Sequence, residues 1–512
     1  MNILGLTNSP VDAASSLLKN GRLAAAIEEA KISRRRRARA LPEESMAECL
    51  RLAGLSAEDI DVVALVRPFP ESDLPLQLRA RFPHARIVLV EHHTAHAASA
   101  FYASPFSEAT ILTLDRIGDL RCGARWKGID NALEMEHEFF YPDSLGDIYG
   151  RVTELLGFAA GADEHKVQWM SAAGKPVYRD LFLEIIGDGP RVDRSYFDTG
   201  RLDHGGFSGH FYKRLGLADH SALPDKMRGE IAASLQSAIT EVVLRLAGHG
   251  ANLCLAGGLG FNAMLVAALE QSGQFENVFV QPAAGNAGTA LGAVLSVHAA
   301  HVDLEDYCLG PSFTAEEIKQ VLENCKLGFR YLLTTDEIVD TAVAQLEDHK
   351  IVAWMQGRME FGPRALGNRS ILASPTDPYS TENLNTYIKH REGFRKFAAS
   401  VPTEVADKYF IAGSNARHLA TVGRVRPEYR KAFEGAILAD DLIRVHTVRS
   451  EDNPLYWRLL HAAGAKTGLP VLYNTSFNLF GEPLVCTPRD AVRSFYSSGI
   501  DAMFVGNFFL QK

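Results

Sequence analysis

The stretch HHTAHAASAFYASPF, starting at His92, places three histidines within five residues. The run before it, RIVLV (86–90), reads as a buried strand. The stretch itself is rich in helix formers and holds no Gly or Pro until Pro105. If His92 opens a helix, His92 and His96 lie one turn apart on one face, and His93 points roughly 100° away. An i, i+4 histidine pair is one way for a single helix to supply two metal ligands. The same spacing suits two half-buried histidines that only pack, and the residues alone leave that choice open. A carboxylate follows closely, because ATILTLD (109–115) reads as a strand ending in Asp115.

Anion chemistry has its own candidates. ANLCLAGGLGFNAML (251–265) reads as strand, glycine turn, helix, and NVFVQPAAGNAGTALGAVLSVHAA (277–300) repeats the plan. Backbone N–H groups are free at such turns and no side chain blocks approach, so either suits a phosphate or an adenosine edge. Further along, Arg358, Arg364, Arg369, Lys389, Arg391, Arg395 and Arg444 sit beside turns or strand ends. Such a local excess of cations in an acidic chain suggests a bound polyanion, with Arg for bidentate phosphate contacts and Lys as a point charge. Surface ion pairs are the alternative. The basic run KISRRRRARA (31–40) reads better as a solvated helix face than as an anion patch.

These residues need elements to hold them. NILGL, the two strands around the KNG turn, IDVVALV (60–66), RIVLV and ATILTLD alternate with helical pattern, which indicates an α/β layered fold. Residues 150–250 read as mostly helical, 301–312 as a linker, and 313–512 as a second α/β unit. The expected domains are 1–305 and 310–512. Length (512 residues), hydrophobic content (46%) and charged content (22%) are those of an ordinary globular protein. A net charge of −9 argues against nucleic-acid binding through phosphate contacts. Six scattered cysteines form no C-x-x-C, so reduced thiols in a cytoplasmic protein are expected. No signal peptide and no membrane span are visible.

HHTAHAASAFYASPF, AGGLGFNAML, PAAGNAGTALGA, LGPSF, WMQGRMEFGPRALGNRSILASP, IKHREGFRKFAASV and NTSFNLFGEPLVCTPRDA together resemble the ATP-dependent O-carbamoyltransferases of natural-product biosynthesis, nearly end to end. The resemblance implies an actin/hexokinase-type (Kae1-like) N-terminal domain followed by a YrdC-like α/β domain. It implies that carbamoyl phosphate and ATP, with Mg(II), give carbamoyl-adenylate. The carbamoyl group then passes to a hydroxyl (or amine) of a small metabolite, beside a divalent metal expected to be Fe(II). By motif, Arg364, Lys389 and Arg395 match the phosphate-holding residues and Arg444, Ser476 and Asn478 the supporting polar set. Gly257, Gly258 and Asn262 match the adenosine-binding turn. His92, His96 and Asp115 match the metal ligands, Asn286 stands at the fourth ligand position, and Asp12 belongs to the catalytic set. Two histidines and a carboxylate with open positions suit a Lewis-acid role. His93 is left to orient or pack.

Departures cluster at the metal and acceptor end. The usual HDASA reads VDAAS, with Val11 in place of histidine. DGxGE reads DRIGD, with Arg116 for Gly. GDAG reads GNAG, with Asn286 for Asp, a weaker neutral ligand. A Lys-His pair reads Arg36-Arg37, and FRPFAPSV reads FRKFAASV. Two other readings follow: a nucleotide-binding relative with lost or altered transfer, and a threonylcarbamoyl-type enzyme acting on tRNA, which the acidic charge opposes. A hydrogenase-maturation role lacks its acylphosphatase and Cys-rich segments. The expected partners are carbamoyl phosphate, ATP and a hydroxylated acceptor, without nucleic acid or membrane, and a homodimer is left open.

Overall fold

The computed structural model describes residues 1–9, 12–35, 41–68, 72–187, 189–198, 200–201, 203–304 and 306–512. Val11, Arg36 and Arg37 lie outside them, as does Glu305 at the expected domain boundary. The first sheet contains β1 (Asn2–Thr7), β2 (Ala14–Lys19), β3 (Arg22–Glu28), β4 (Val62–Val66) and β5 (Arg86–Val90), in the order β3-β2-β1-β4-β5. β1–β3 form an antiparallel meander, while β4 and β5 run parallel to β1. The KNG turn closes its first hairpin, with Asn20 (φ 52°) and Gly21 (φ 80°) both left-handed as a two-residue primed turn requires.

The second sheet repeats this plan. β6 (Glu108–Gly118), β7 (Arg121–Ile129) and β8 (Ala132–Phe140) form the meander. β9 (Gly250–Ala256) and β10 (Phe275–Val280) add parallel to β6, in the order β10-β9-β6-β7-β8. Two consecutive sheets with one strand order are the duplicated architecture of the actin/hexokinase type. A helix follows the last strand of each copy: α1 (His92–Phe101) after β5, and α5 (Asn286–His298) after β10. The two helices pack on each other so closely that a Cβ on Gly292 would lie 1.7 Å from the Ala95 carbonyl oxygen. Small residues along both helices permit this approach. Between β8 and β9 come, among other helices, α2 (Glu164–Ser171) and α3 (Asp225–Ala247), and α4 (Ala263–Gln271) joins β9 to β10.

The third sheet has ten strands between Arg330 and Gln511, parallel and antiparallel pairs mixed, with helices packed on it. The α/β expectation holds throughout the described residues, none of whose helices is long and apolar enough to cross a membrane.

Three local expectations change. β5 is an edge strand, with Leu89 47% exposed, because β4 covers only one of its sides. The 301–312 segment is no loose linker: Tyr307 is buried, its carbonyl accepts from Phe361 N (2.7 Å), and Leu309 O accepts from Ala26 N (3.2 Å). Lys31 and Arg34, at the start of the basic run, are not a solvated face. Lys31 is 7% exposed, and Arg34 donates to Leu484 O (2.5 Å) and Pro483 O (3.0 Å).

Candidate functional site

Glu91 caps α1, its carboxylate accepting from Thr94 N (2.7 Å), which fixes where the helix starts and so how its histidines face. His92 and His96 then point to β6. His92 Nε2, His96 Nε2 and Asp115 Oδ2 lie 3.1 Å from one another in every pairing. Gly118 makes room for this, since a Cβ there would lie 2.1 Å from the His92 ring. Among the described residues this is the one group of His, Cys, Asp and Glu ligand atoms that converges. Burial opposes ionisation of Asp115, but the hydrogen bonds from His92 and His96 outweigh it and hold the carboxyl well below its usual range. Burial, against the pull of Asp115, lowers His96. Two imidazoles and a carboxylate are the donor set of a two-His, one-carboxylate centre. Donors about 2.1 Å from one ion and at right angles to each other stand ~3 Å apart, so the spacing fits a divalent metal. His93 is separate: its Nδ1 pairs with Thr113 Oγ1 (3.0 Å), and burial followed by its histidine neighbours pushes its pKa down to about 3.

A cavity of about 490 Å³ opens from this centre. Asp12, Asp115, Arg116, Gly258 and Asn286 line one side, and His165 and Arg364 another. Burial, then the charges of Asp115 and Glu28, raise the Asp12 carboxyl to about 6. Asn286 opens α5, with its Nδ2 3.4 Å from Ser9 Oγ and its Oδ1 sealed without a partner.

Beyond Arg364 the charge changes sign. Arg364, Lys389, Arg391 and Arg444 are depressed below their ordinary values by burial first and then by neighbouring cations, and Arg395 by burial against the pull of Glu392 and Asp163. The carboxylate closest to hand is Glu392, 3.8 Å from Arg395 and nearer to Lys166 (2.9 Å). Arg444 lies 5.3 Å over the Trp169 ring with its Nε sealed and unpaired. Lys389 donates to Ser476 O (2.5 Å), Asn478 O (2.9 Å) and Asn478 Oδ1 (2.8 Å). It lies in a π-helical turn, Leu384–Lys389, that ends at left-handed His390 (φ 45°). Mutually repelling, buried cations without matching carboxylates are strained until an anion arrives.

Two family models match the chain, one described as carbamoyltransferase N-terminus over residues 75–295 and one as carbamoyltransferase C-terminus over residues 343–512. Nodulation protein NolNO of Sinorhizobium fredii is 31% identical, over 100% of this chain and 80% of its own length. Nodulation protein NolO of Bradyrhizobium diazoefficiens is 33% identical, over 83% of this chain and 79% of its own. The chain belongs to the carbamoyltransferase family. A 3'-hydroxymethylcephem-O-carbamoyltransferase of Amycolatopsis lactamdurans is 33% identical over 52% of this chain and 49% of its own length. Among solved structures, component A of the (R)-2-hydroxyglutaryl-CoA dehydratase of Acidaminococcus fermentans covers 58% of this chain and 99% of its own. The TM-score is 0.36 at 15% identity.

In this carbamoyltransferase the expected site residues fall into three groups. Asp12, His92, His96, Asp115 and Asn286 gather at one end of the cavity or beside it. Arg364, Lys389, Arg395 and Arg444 gather at the other, where Ser476 and Asn478 serve as the seat of Lys389. The glycine turn lies against Asp115, where a Cβ on Gly258 would come within 3.1 Å of its Oδ1. Gly258 lines the cavity, whereas Gly257 (φ 91°) presses on β6, where a Cβ would lie 2.1 Å from Leu114 O. Asn262 caps α4 at Leu265 N (3.0 Å), accepts from Gln168 (2.7 Å) and donates to Gln236 (2.8 Å). Two of the seven cations are corrected, because backbone carbonyls occupy them. Arg358 serves Ala24 O, Leu309 O and Gly310 O, and buried Arg369 serves Gln356 O, Gly357 O, Asn368 O and Pro311 O. The sequence reading missed α2, which lays His165, Gln168 and Trp169 against the cation end. Its one signal is the polar cluster DEHK inside an otherwise helical stretch.

One more contact ties the ends together. Lys31 Nζ donates to Glu360 O (2.9 Å) and Gly362 O (2.6 Å) and pairs with Glu28 (2.8 Å), whose Oε1 accepts from Gly362 N (2.7 Å). Glu360 in turn accepts from the N–H groups of Leu366, Asn368 and Arg369, so the loop bearing Arg364 is wrapped around one carboxylate.

Proposed function

We propose that this family member makes carbamoyl-adenylate from carbamoyl phosphate and ATP, and transfers the carbamoyl group to a hydroxyl of a small metabolite. The observation that carries this reading is the single cavity with a cationic end at Arg364 and a carboxylate–histidine end at Asp115. In the first half-reaction, water frees phosphate from carbamoyl phosphate. The carbamate formed attacks the α-phosphate of ATP, which enters with Mg(II), and pyrophosphate leaves. Arg364 and Arg395 hold the phosphate oxygens, and Lys389, whose three N–H groups go to Ser476 and Asn478, adds its charge to stabilise what builds there. In the second half-reaction the acceptor oxygen attacks the carbamoyl carbon and AMP leaves. Asp12, with its raised affinity for a proton, takes the proton of the acceptor hydroxyl. His92, His96 and Asp115 would hold a divalent ion, Fe(II) by the family resemblance, which supplies a Lewis acid. NolNO and the cephem O-carbamoyltransferase are named for nodulation and for a cephem, and they support small-molecule acceptors here.

The test is pyrophosphate release from ATP, with and without carbamoyl phosphate, followed by a screen of hydroxylated and aminated metabolites for carbamoylated product. Release that ignores carbamoyl phosphate sinks the adenylate step. Dependent release without product on a broad panel favours a relative that has lost transfer, for which Asn286 in place of a carboxylate is the supporting observation.

A further inference from the structure

We propose that His165 reads the amide NH2 of the carbamoyl group and so selects carbamoyl phosphate over other acyl phosphates; this rests on the carbamoyl-adenylate reading. The tautomer follows from one contact. His165 Nδ1 lies 3.1 Å from Ala162 O, and a carbonyl only accepts, so Nδ1 carries the proton. Burial, followed by the charges of Arg395 and Arg364, lowers its pKa to about 3 and keeps the ring neutral. Nε2 is therefore a bare lone pair. It is buried at the cavity wall and has no donor among the described residues, a costly state unless a ligand supplies one.

Position narrows the ligand. His165 lines the cavity beside Arg364 and Gln168. Arginines there offer only N–H donors, which suit phosphate and carbonyl oxygens. An acceptor among them is wasted on a phosphate and repelled by a carboxylate. Carbamoyl phosphate carries its NH2 two bonds from the oxygen that bridges to phosphorus. That NH2 is its one donor, so it is the group that pairs with Nε2 while the cations take the phosphate. Acetyl phosphate puts a methyl group in that place and leaves the lone pair unsatisfied.

Two substitutions separate the lone pair from the fold. His165→Asn keeps a donor for Ala162 O and deletes the Nε2 acceptor, while His165→Gln carries an acceptor oxygen out to the Nε2 position. The assay is pyrophosphate release, with KM for carbamoyl phosphate and for ATP and the inhibition constant of acetyl phosphate measured on each protein. In His165→Asn, KM for carbamoyl phosphate should rise roughly 10- to 100-fold with kcat changed far less. Acetyl phosphate inhibition and KM for ATP should stay put, and His165→Gln should recover part of the loss. An unchanged ratio of carbamoyl phosphate to acetyl phosphate affinity in His165→Asn overturns the proposal. So does a rise in KM for ATP alone, which would assign the lone pair to a nucleotide hydroxyl or amino group. Wild-type enzyme without carbamoyl-phosphate-dependent release sinks the adenylate reading itself, a result distinct from either.

Discussion

The two ends of the cavity are built on opposite principles. At the Asp115 end the ligand atoms stand on regular elements, the first turns of α1 and the later part of β6, and the one cation on that wall, Arg116, is paired with Asp147. At the Arg364 end most of the side chains come from turns and a single π-helical turn, with Arg444 on a strand (Leu442–Val448), and the charge is positive with little to balance it. A cation can be held by three converging atoms, so rigid geometry suffices. A polyphosphate has many oxygens and needs several hands that can each adjust. The contrast is what the proposed division, metal-assisted transfer at one end and phosphate handling at the other, rests on.

The sharpest way to break this division is His96→Ala. Carbamoylation of the true acceptor should fall by at least ~10²-fold, on the scale of losing one electrostatic stabiliser of a transition state. Metal content by elemental analysis should fall with it while pyrophosphate release holds. Equal loss of both activities in a folded protein would mean the ends are not divided.

The converse is Arg364→Ala. One charge-assisted contact is worth roughly 1.5–3 kcal/mol, so pyrophosphate release should drop about 10- to 100-fold with bound metal unchanged. A wild-type rate would remove Arg364 from the phosphate site.

The smallest effect sorts the cations by stability rather than activity. Arg369→Met leaves buried carbonyls unpaired and should cost about 2–4 kcal/mol, lowering Tm. Arg444→Met removes a charge that repels three neighbours and should raise Tm by roughly 1–3 °C while slowing turnover. Thermal melts without ligand check both. If the two variants move together, Arg369 and Arg444 do not differ as the hydrogen bonds indicate.

How much of this was legible in the sequence follows the same contrast. The convergence of His92, His96 and Asp115 was readable because its signals are local: the i, i+4 spacing of the histidines and a carboxylate on the next strand, which runs on to Gly118 rather than stopping at Asp115. The α/β class was readable from alternating pattern. The duplication was not, because the two five-stranded sheets share strand order without sharing residues. β5 was taken as buried since an apolar run looks alike at a sheet's centre and its edge. Arg358, Arg364 and Arg369 occupy one glycine-rich stretch, and which of them faces a ligand depends on how that stretch turns around Glu360. His165 carried no signal of its own. Its meaning comes from α2 crossing to the cations, which no local window contains.

The contact of Lys31 and Glu28 with the Glu360–Gly362 backbone bears on timing. It fastens the end of β3, beside Asp12, to the loop that carries Arg364, through a buried ion pair and three bonds to main chain. The two walls of the cavity are therefore geared to each other. A displacement of the Arg364 loop pulls on the end of β3, and one at β3 pulls on the loop. On the proposed function, an intermediate as prone to hydrolysis as a carbamoyl-adenylate would gain from such gearing, since its formation and its consumption would keep one clock.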